Sequence, residues 1–200
     1  MTTSAVRVIK LGGSLLDYAA LAGKLRMWLA RQPPATDVLI VGGGKAVEAL
    51  RQLDAEMPLG DETAHDLAMA AMSLSAAWAA QRFGEMRLAR DLQEIAAEGT
   101  AANRTCWLLD TYRFASELPA DRLPRSWDVT SDSIAARVAE ALGAFELVLL
   151  KSALPPEPCE LESLAAGGYV DRYFPIAACE VARIRAVNLR SEDDAEAIIK

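Results

Sequence analysis

The strongest constraint on this chain is a unit that occurs twice: an apolar, β-branched run, then glycines, then a helical pattern. The first copy is Val8-Ile9-Lys10-Leu11-Gly12-Gly13-Ser14 and the second is Val38-Leu39-Ile40-Val41-Gly42-Gly43-Gly44-Lys45. Short continuous apolar runs bounded by glycine suit strands buried on both faces, the pattern of a parallel sheet. Glycine at the strand-to-helix junction lets the backbone turn tightly and approach a ligand, and the following helix offers unpaired N–H groups. Two such junctions imply a cleft that holds phosphate or carboxylate groups. Lys10, inside the first, lets that cleft do chemistry as well as bind.

The same alternation runs on along the chain. Strands are expected at 5–11, 38–41, 106–109, 145–150 and 183–189. Helices are expected at 17–32, 45–56, 62–83, 86–98, 131–142 and 160–166. Gln32 to Asp37 and Met57 to Asp61 are connectors, Glu117 to Asp128 is irregular, and Gly167-Gly168 is a turn. The Ala-rich helix at 62–83 is apolar on most sides and should be well buried. Strands alternating with helices indicate an α/β fold with a mainly parallel sheet covered on both sides. Ligands in such folds bind beyond the carboxyl ends of the strands. Gly12, Gly42 and Lys151 all fall at those ends.

The 200 residues suffice for one domain with a sizeable core. No apolar run approaches the ~20 residues of a membrane span. The start, Met1-Thr2-Thr3-Ser4-Ala5, lacks a signal-peptide pattern. Three widely spaced cysteines form no zinc or redox pair, so a reduced, cytoplasmic setting is expected. A net charge of −7 argues against nucleic acid as a partner. It leaves room for a small anion, because local N–H groups and lysines override the global field.

Individual residues admit two readings each. Lys10 is either a phosphate lysine or a lysine snorkelling from a strand end. Lys151 is either a second phosphate lysine or an exposed strand terminus. Asp128 precedes the helix at 131–142 and Asp132 falls in its first turn, where acids favour the helix dipole. Thr130 or Ser131 is the expected cap. His65, the one histidine, reads as helix-start packing, and Asp171 as a turn cap. Neither glycine cluster matches the Walker or dinucleotide spacing, and no metal-ligating set is found.

Together, Lys10-x-Gly12-Gly13-Ser14, Gly42-Gly43-Gly44 and Asp132-x-x-Ala135-Ala136 resemble the amino acid kinase superfamily. Ala64-His65 and the run Leu123-Pro124-Arg125-Ser126-Trp127-Asp128-Val129-Thr130-Ser131-Asp132-Ser133-Ile134-Ala135-Ala136 resemble one branch more closely. That branch is the [5-(aminomethyl)furan-3-yl]methyl phosphate kinases of methanofuran biosynthesis and their bacterial relatives. The resemblance implies a three-layer α/β/α sandwich. It also implies ATP with Mg2+ and direct phosphoryl transfer to a small acceptor. Lys10 would touch the transferring group, and Asp132 would orient the lysines. Gly12, Gly13, Gly43 and Gly44 would supply N–H donors; Ser14, Gly42, Asp128, Thr130 and Ser131 would complete the phosphate and acceptor walls. Dimers or larger rings are implied as well.

The chain departs from the family after Leu150. Lys151-Ser152-Ala153-Leu154 stands where the family has an Asp-Val-Asp-Gly-like segment, and a later Thr-Gly-Gly-like loop with a second lysine is missing. Residues 1–200 are therefore expected to be one domain with a shortened nucleotide half after about residue 150, and Lys151 is a candidate replacement for the missing lysine. The competing reading is a kinase-fold protein that has lost catalysis and binds a ligand or joins a complex. A kinase for another acceptor, such as uridylate, is a third.

Overall fold

The computed structural model describes residues 5–97 and 105–200. Its strands are β1 (Val6–Leu11), β2 (Thr36–Val41), β3 (Arg87–Ala89), β4 (Thr105–Leu109), β5 (Glu146–Lys151), β6 (Ile184–Asn188) and β7 (Glu196–Ile198). They form one sheet in the order β3-β4-β2-β1-β5-β6-β7. Every pairing is parallel except β6 with β7. The helices are α1 (Leu21–Arg31), α2 (Gly44–Glu56), α3 (Asp61–Phe83), α4 (Leu92–Ala97), α5 (Tyr112–Glu117), α6 (Ser131–Ala141), α7 (Leu161–Ala166) and α8 (Phe174–Ala177).

Successive residues of a strand face opposite sides of the sheet. Val8, Val38, Ile40, Leu147 and Leu149 join the core under α6, α7 and α8. Ile9, Leu11, Leu39, Val41, Val148 and Leu150 join the core under α1 and the second half of α3. This is the expected three-layer α/β/α sandwich. The first half of α3 packs Met69 and Met72 against Leu123, Val129 and Ile134.

Several local expectations are corrected. The helix expected at 17–32 begins only at Leu21, after a 3-10 turn at Gly13–Leu15. The helix expected at 86–98 is β3 followed by α4, and residue 98 lies outside the described residues, as do Met1 to Ser4. Arg87, Leu88 and Ala89 pair with Trp107, Leu108 and Leu109, a partner some twenty residues away that overrides local helical preference. The burial expected of α3 holds for one side only. Leu67, Leu74 and Trp78 are 42%, 65% and 45% exposed, and Ala70 and Ala77 are exposed beside them. Among the described residues, no helix is long and apolar enough to cross a membrane.

At the amino ends of the strands, far from the glycine turns, Arg7 and Asp37 form a buried pair at 2.6 Å. Arg7 also donates to the Pro33 carbonyl. Breaking one partner of a buried pair strands the other charge. Asp37→Asn should therefore lower the unfolding free energy in urea by about 3–5 kcal/mol. The apolar double variant Arg7→Met/Asp37→Leu should lose less than that single change.

Candidate active site

The strand period sets this site. Lys10 shares the side of β1 with Val8, and Lys151 shares the side of β5 with Leu147 and Leu149, so both ammonium groups face α6. Lys10 lies beside Leu149 in the β1–β5 register, with Lys151 two residues further along. The first turn of α6 delivers Asp132 between them. Its Oδ1 meets Lys10 Nζ at 2.8 Å and has no other partner among the described residues. Its Oδ2 accepts from Lys151 Nζ at 2.9 Å. Lys151 Nζ also donates to the Tyr169 carbonyl at 2.7 Å and lies 5.0 Å from the centre of the Tyr169 ring.

Asp132 is almost fully buried. Burial works to raise its pKa, but the Lys10 and Lys151 ammonium groups outweigh it and hold the carboxyl at about 2. Lys151 is lowered too, but here burial prevails: burial and the neighbouring Lys10 charge push it down to about 8, against the pull of Asp132.

The two glycine turns meet at this point. A Cβ on Gly13 would stand 2.4 Å from the Gly44 nitrogen, and one on Gly42 would stand 2.8 Å from the Gly13 nitrogen. Gly44 also has φ +55°, which favours glycine. The turns therefore form a single wall, and side chains at Gly13 or Gly42 would force it apart. Not every glycine is a donor, however. The Gly12 N–H is taken by the Leu150 carbonyl at 2.8 Å and the Gly42 N–H by the Leu11 carbonyl at 2.9 Å. The donor role expected of Gly12 is thus met by the sheet, which extends past the strand ends. The N–H groups of Gly13, Gly43 and Gly44 have no partner among the described residues.

These groups border a cleft of about 1260 Å³. Ser14, Gly43, Gly44, Ser131, Asp132 and Lys151 line its centre, whereas Lys10 reaches the site from below the lining. One arm runs along α2 and α3 past Val47, Met69, Met72, Trp127 and Asp128. Trp127 is fixed there by donating to Asp54 at 2.8 Å, with the Arg51 guanidinium over its ring at 4.9 Å. The other arm runs along Gly168 to Arg172. Asp128 is exposed at the rim, 3.6 Å from Arg172. His65 also reaches the lining. It is buried, hydrogen-bonded to the Ser126 backbone, and burial lowers its pKa.

The expected caps of α6 are replaced. Thr130 occupies the N-cap position but makes no side-chain cap bond. Asp171, expected only at a turn, accepts from Thr130 N–H at 3.0 Å, Thr130 Oγ1 at 2.9 Å and Ser133 N–H at 2.9 Å, and from Ser133 Oγ. Tyr169 and Asp171 thus belong to the site, and local pattern reading did not place them there.

The donor set fits a polyphosphate. Residues with unpaired N–H groups, a helix N-terminus at Gly44 and Lys151 border the same space, with Lys10 beside them on Asp132. For Mg2+ the residues supply less: Asp132 is occupied by lysines and Asp171 by four donors. Among the described residues there is no cluster of three or more acidic, histidine or cysteine side chains. Mg2+ often keeps several waters and binds through substrate phosphates, so a carboxylate cage is not a requirement for it.

A strand-end lysine pair bridged by a helix-borne aspartate thus lies beside two fused glycine turns at the carboxyl edge of an α/β sheet. Residues 5–153 match the amino acid kinase family, and the chain belongs to that family. Comparison with curated proteins finds no match. Among solved structures, the chain is similar to the UMP kinase of Bacillus anthracis (TM-score 0.66, 11% identity, all of both chains covered). It is also similar to the UMP kinase of Ureaplasma parvum (0.63, 12%, 94% of this chain and 91% of that one). With the aspartate kinase of Synechocystis the TM-score is 0.62 at 15% identity, covering 97% of this chain and 40% of that one. At such identities the likeness is one of fold.

The depressed Lys151 pKa has a consequence for stability. Its folded value, about 8, lies below the ordinary 10.5. Between those values the unfolded chain binds the extra proton, so this lysine makes the protein more stable as pH rises from about 8 to 10.5. Urea unfolding across that window should show the rise in the native protein and its loss in Lys151→Met.

Proposed function

We propose that the protein is an ATP-dependent kinase of a small metabolite bearing a phosphate or carboxylate. The Lys10–Asp132–Lys151 bridge, buried at the meeting point of two glycine turns, carries this reading. Phosphoryl transfer demands positioning and charge neutralisation more than a covalent nucleophile. Lys10 and Lys151 meet the transferring group, and Asp132 keeps both aimed. Gly13, Gly43 and Gly44 give N–H donors to the phosphates, with Ser14 and Ser131 beside them. ATP supplies the phosphoryl group, with Mg2+ across its phosphates.

The acceptor lies along the arm between α2, α3 and Trp127. By the Trp127–Ala136 run, the acceptor is the aminomethylfuran phosphate intermediate of a methanofuran-like carrier. The apolar surfaces of Val47, Met69 and Met72 and the indole of Trp127 suit a flat ring, and they support that choice over a strongly polar acceptor. Residues 1–200 act as one domain, with ATP held by a shortened half in which Lys151 serves as the second lysine. The protein works in the cytoplasm.

Lys10→Ala should lower ATP-dependent kcat/KM on the order of 10²–10³-fold, as expected for losing one preorganised charge at the reacting group. The variant should stay folded by circular dichroism but with a lowered urea midpoint, because Asp132 Oδ1 loses its partner. Full activity in the variant would remove the assignment. If titration of the native protein with Mg-ATP and acceptor gave no heat of binding, the non-catalytic reading would stand instead.

We further propose a homodimer through the exposed apolar side of α3. Leu67, Leu74 and Trp78 stand exposed on one side of α3, and contiguous exposed apolar side chains commonly mark a protein contact. Light scattering should give twice the mass of one chain. Leu67→Glu, outside the cleft lining, should give the mass of one.

A further inference from the structure

We propose that Gly168–Asp171 is a positioning element for the lysine–aspartate bridge, with Asp171 as the positioning residue. The bridge is held at two points by this short segment. The Tyr169 carbonyl accepts a hydrogen bond from Lys151 Nζ. Two residues later, the Asp171 carboxylate grips the first turn of α6 through both Thr130 and Ser133. Asp132 lies between those two, so its backbone cannot rotate without breaking bonds to Asp171.

The segment is itself anchored. Val170 is buried in the core with Leu164 and Phe174. Tyr169 OH donates to the Ala153 carbonyl at 3.1 Å. Gly168, at φ +72°, makes the turn that brings the segment out of α7.

A simple helix cap would need one accepting side chain next to the helix in sequence. Here the cap comes from some forty residues away, and it is a charge buried beside another of the same sign. Burial and the Asp132 charge raise the Asp171 pKa, while the hydrogen bonds from Ser133 and Thr130 oppose that shift. Such an arrangement is costly as a cap alone. It is explained if the second carboxylate also helps Lys151 stay protonated against Lys10. The charged and titratable groups facing Lys151 are Lys10 from β1, Asp132 from α6, and Tyr169 and Asp171 from this segment.

The proposal concerns the same bridge as the kinase reading, and its test needs no substrate, so the two can fail separately. Lysines are acetylated with trace acetic anhydride from pH 6 to 11, and each site is read by peptide mass spectrometry. Lys24 reports overall integrity: it is held by Asp194 and the Ser191 carbonyl, and its helix packs on the opposite face of the sheet.

In Asp171→Asn the Lys151 midpoint should fall, and its acetylation at pH 7 should rise by about threefold or more, while Lys24 stays native. Ser133→Ala leaves the charge in place and removes one bond to it. It should move Lys151 in the same direction by a smaller factor, and it decides the matter if Asp171→Asn does not fold. An unchanged Lys151 rate in a folded variant would overturn the proposal. So would Lys24 rising in step with Lys151, since that would mark a general structural loss.

Discussion

The rest of this site depends on one buried carboxylate held between two ammonium groups. A charge withdrawn from water costs several kcal/mol unless it is met by partners at close range. Asp132 meets two, at 2.8 and 2.9 Å. That requirement fixes the relative placement of three elements. β1 and β5 must be neighbours in parallel register, Lys10 and Lys151 must share a side of the sheet, and α6 must begin where the two strands end. A slip of one residue in either strand would turn its lysine into the opposite core, where Leu11 and Leu150 now pack.

The glycine turns answer to the same geometry. Their closeness to one another, more than their separate freedom, is what excludes side chains: the Gly13 and Gly44 backbones leave no room for a Cβ. Gly12 and Gly42 spend their N–H groups on neighbouring strand ends. That locks the turns to the sheet and leaves the N–H groups of Gly13, Gly43 and Gly44, which line the cleft, without a partner among the described residues. A wall of fixed N–H dipoles needs no rearrangement when an anion arrives, which is where preorganised sites gain over water.

Much of this was legible in the sequence, and the legible part has a common physical cause. Strand ends, glycine turns and the face of a lysine follow from local period and from backbone stereochemistry, which a short window contains. The strand-end placement of Lys10 and Lys151 and the position of the glycine turns follow that way. Asp132 was found as a helix-start acid, and only the family resemblance gave it a role between lysines. What was not legible depends on distant partners. Arg87–Ala89 is a strand because β4 is beside it. Asp171 looked like a turn residue because its four donors lie some forty residues earlier. The side of α3 that faces away from the core was likewise hidden, since an Ala-rich helix has no polar face to mark it.

The charge of the bridge comes from three elements, β1, α6 and β5, that all lie before residue 152. Two lysines against Asp132 leave the bridge with a net positive charge, buried and facing unpaired N–H groups. Asp171 lies close enough to soften that charge but is tied up by Thr130 and Ser133, so it cannot replace an incoming anion as a direct partner. Lys151 comes from the end of β5 itself, two residues along the register from the neighbour of Lys10. No element beyond β5 is needed to supply the second lysine, only one to hold it, and the Tyr169 carbonyl does that. The charge of the bridge thus resides in β1, β5 and α6, and under the positioning proposal the segment after α7 has the smaller task of keeping it aimed.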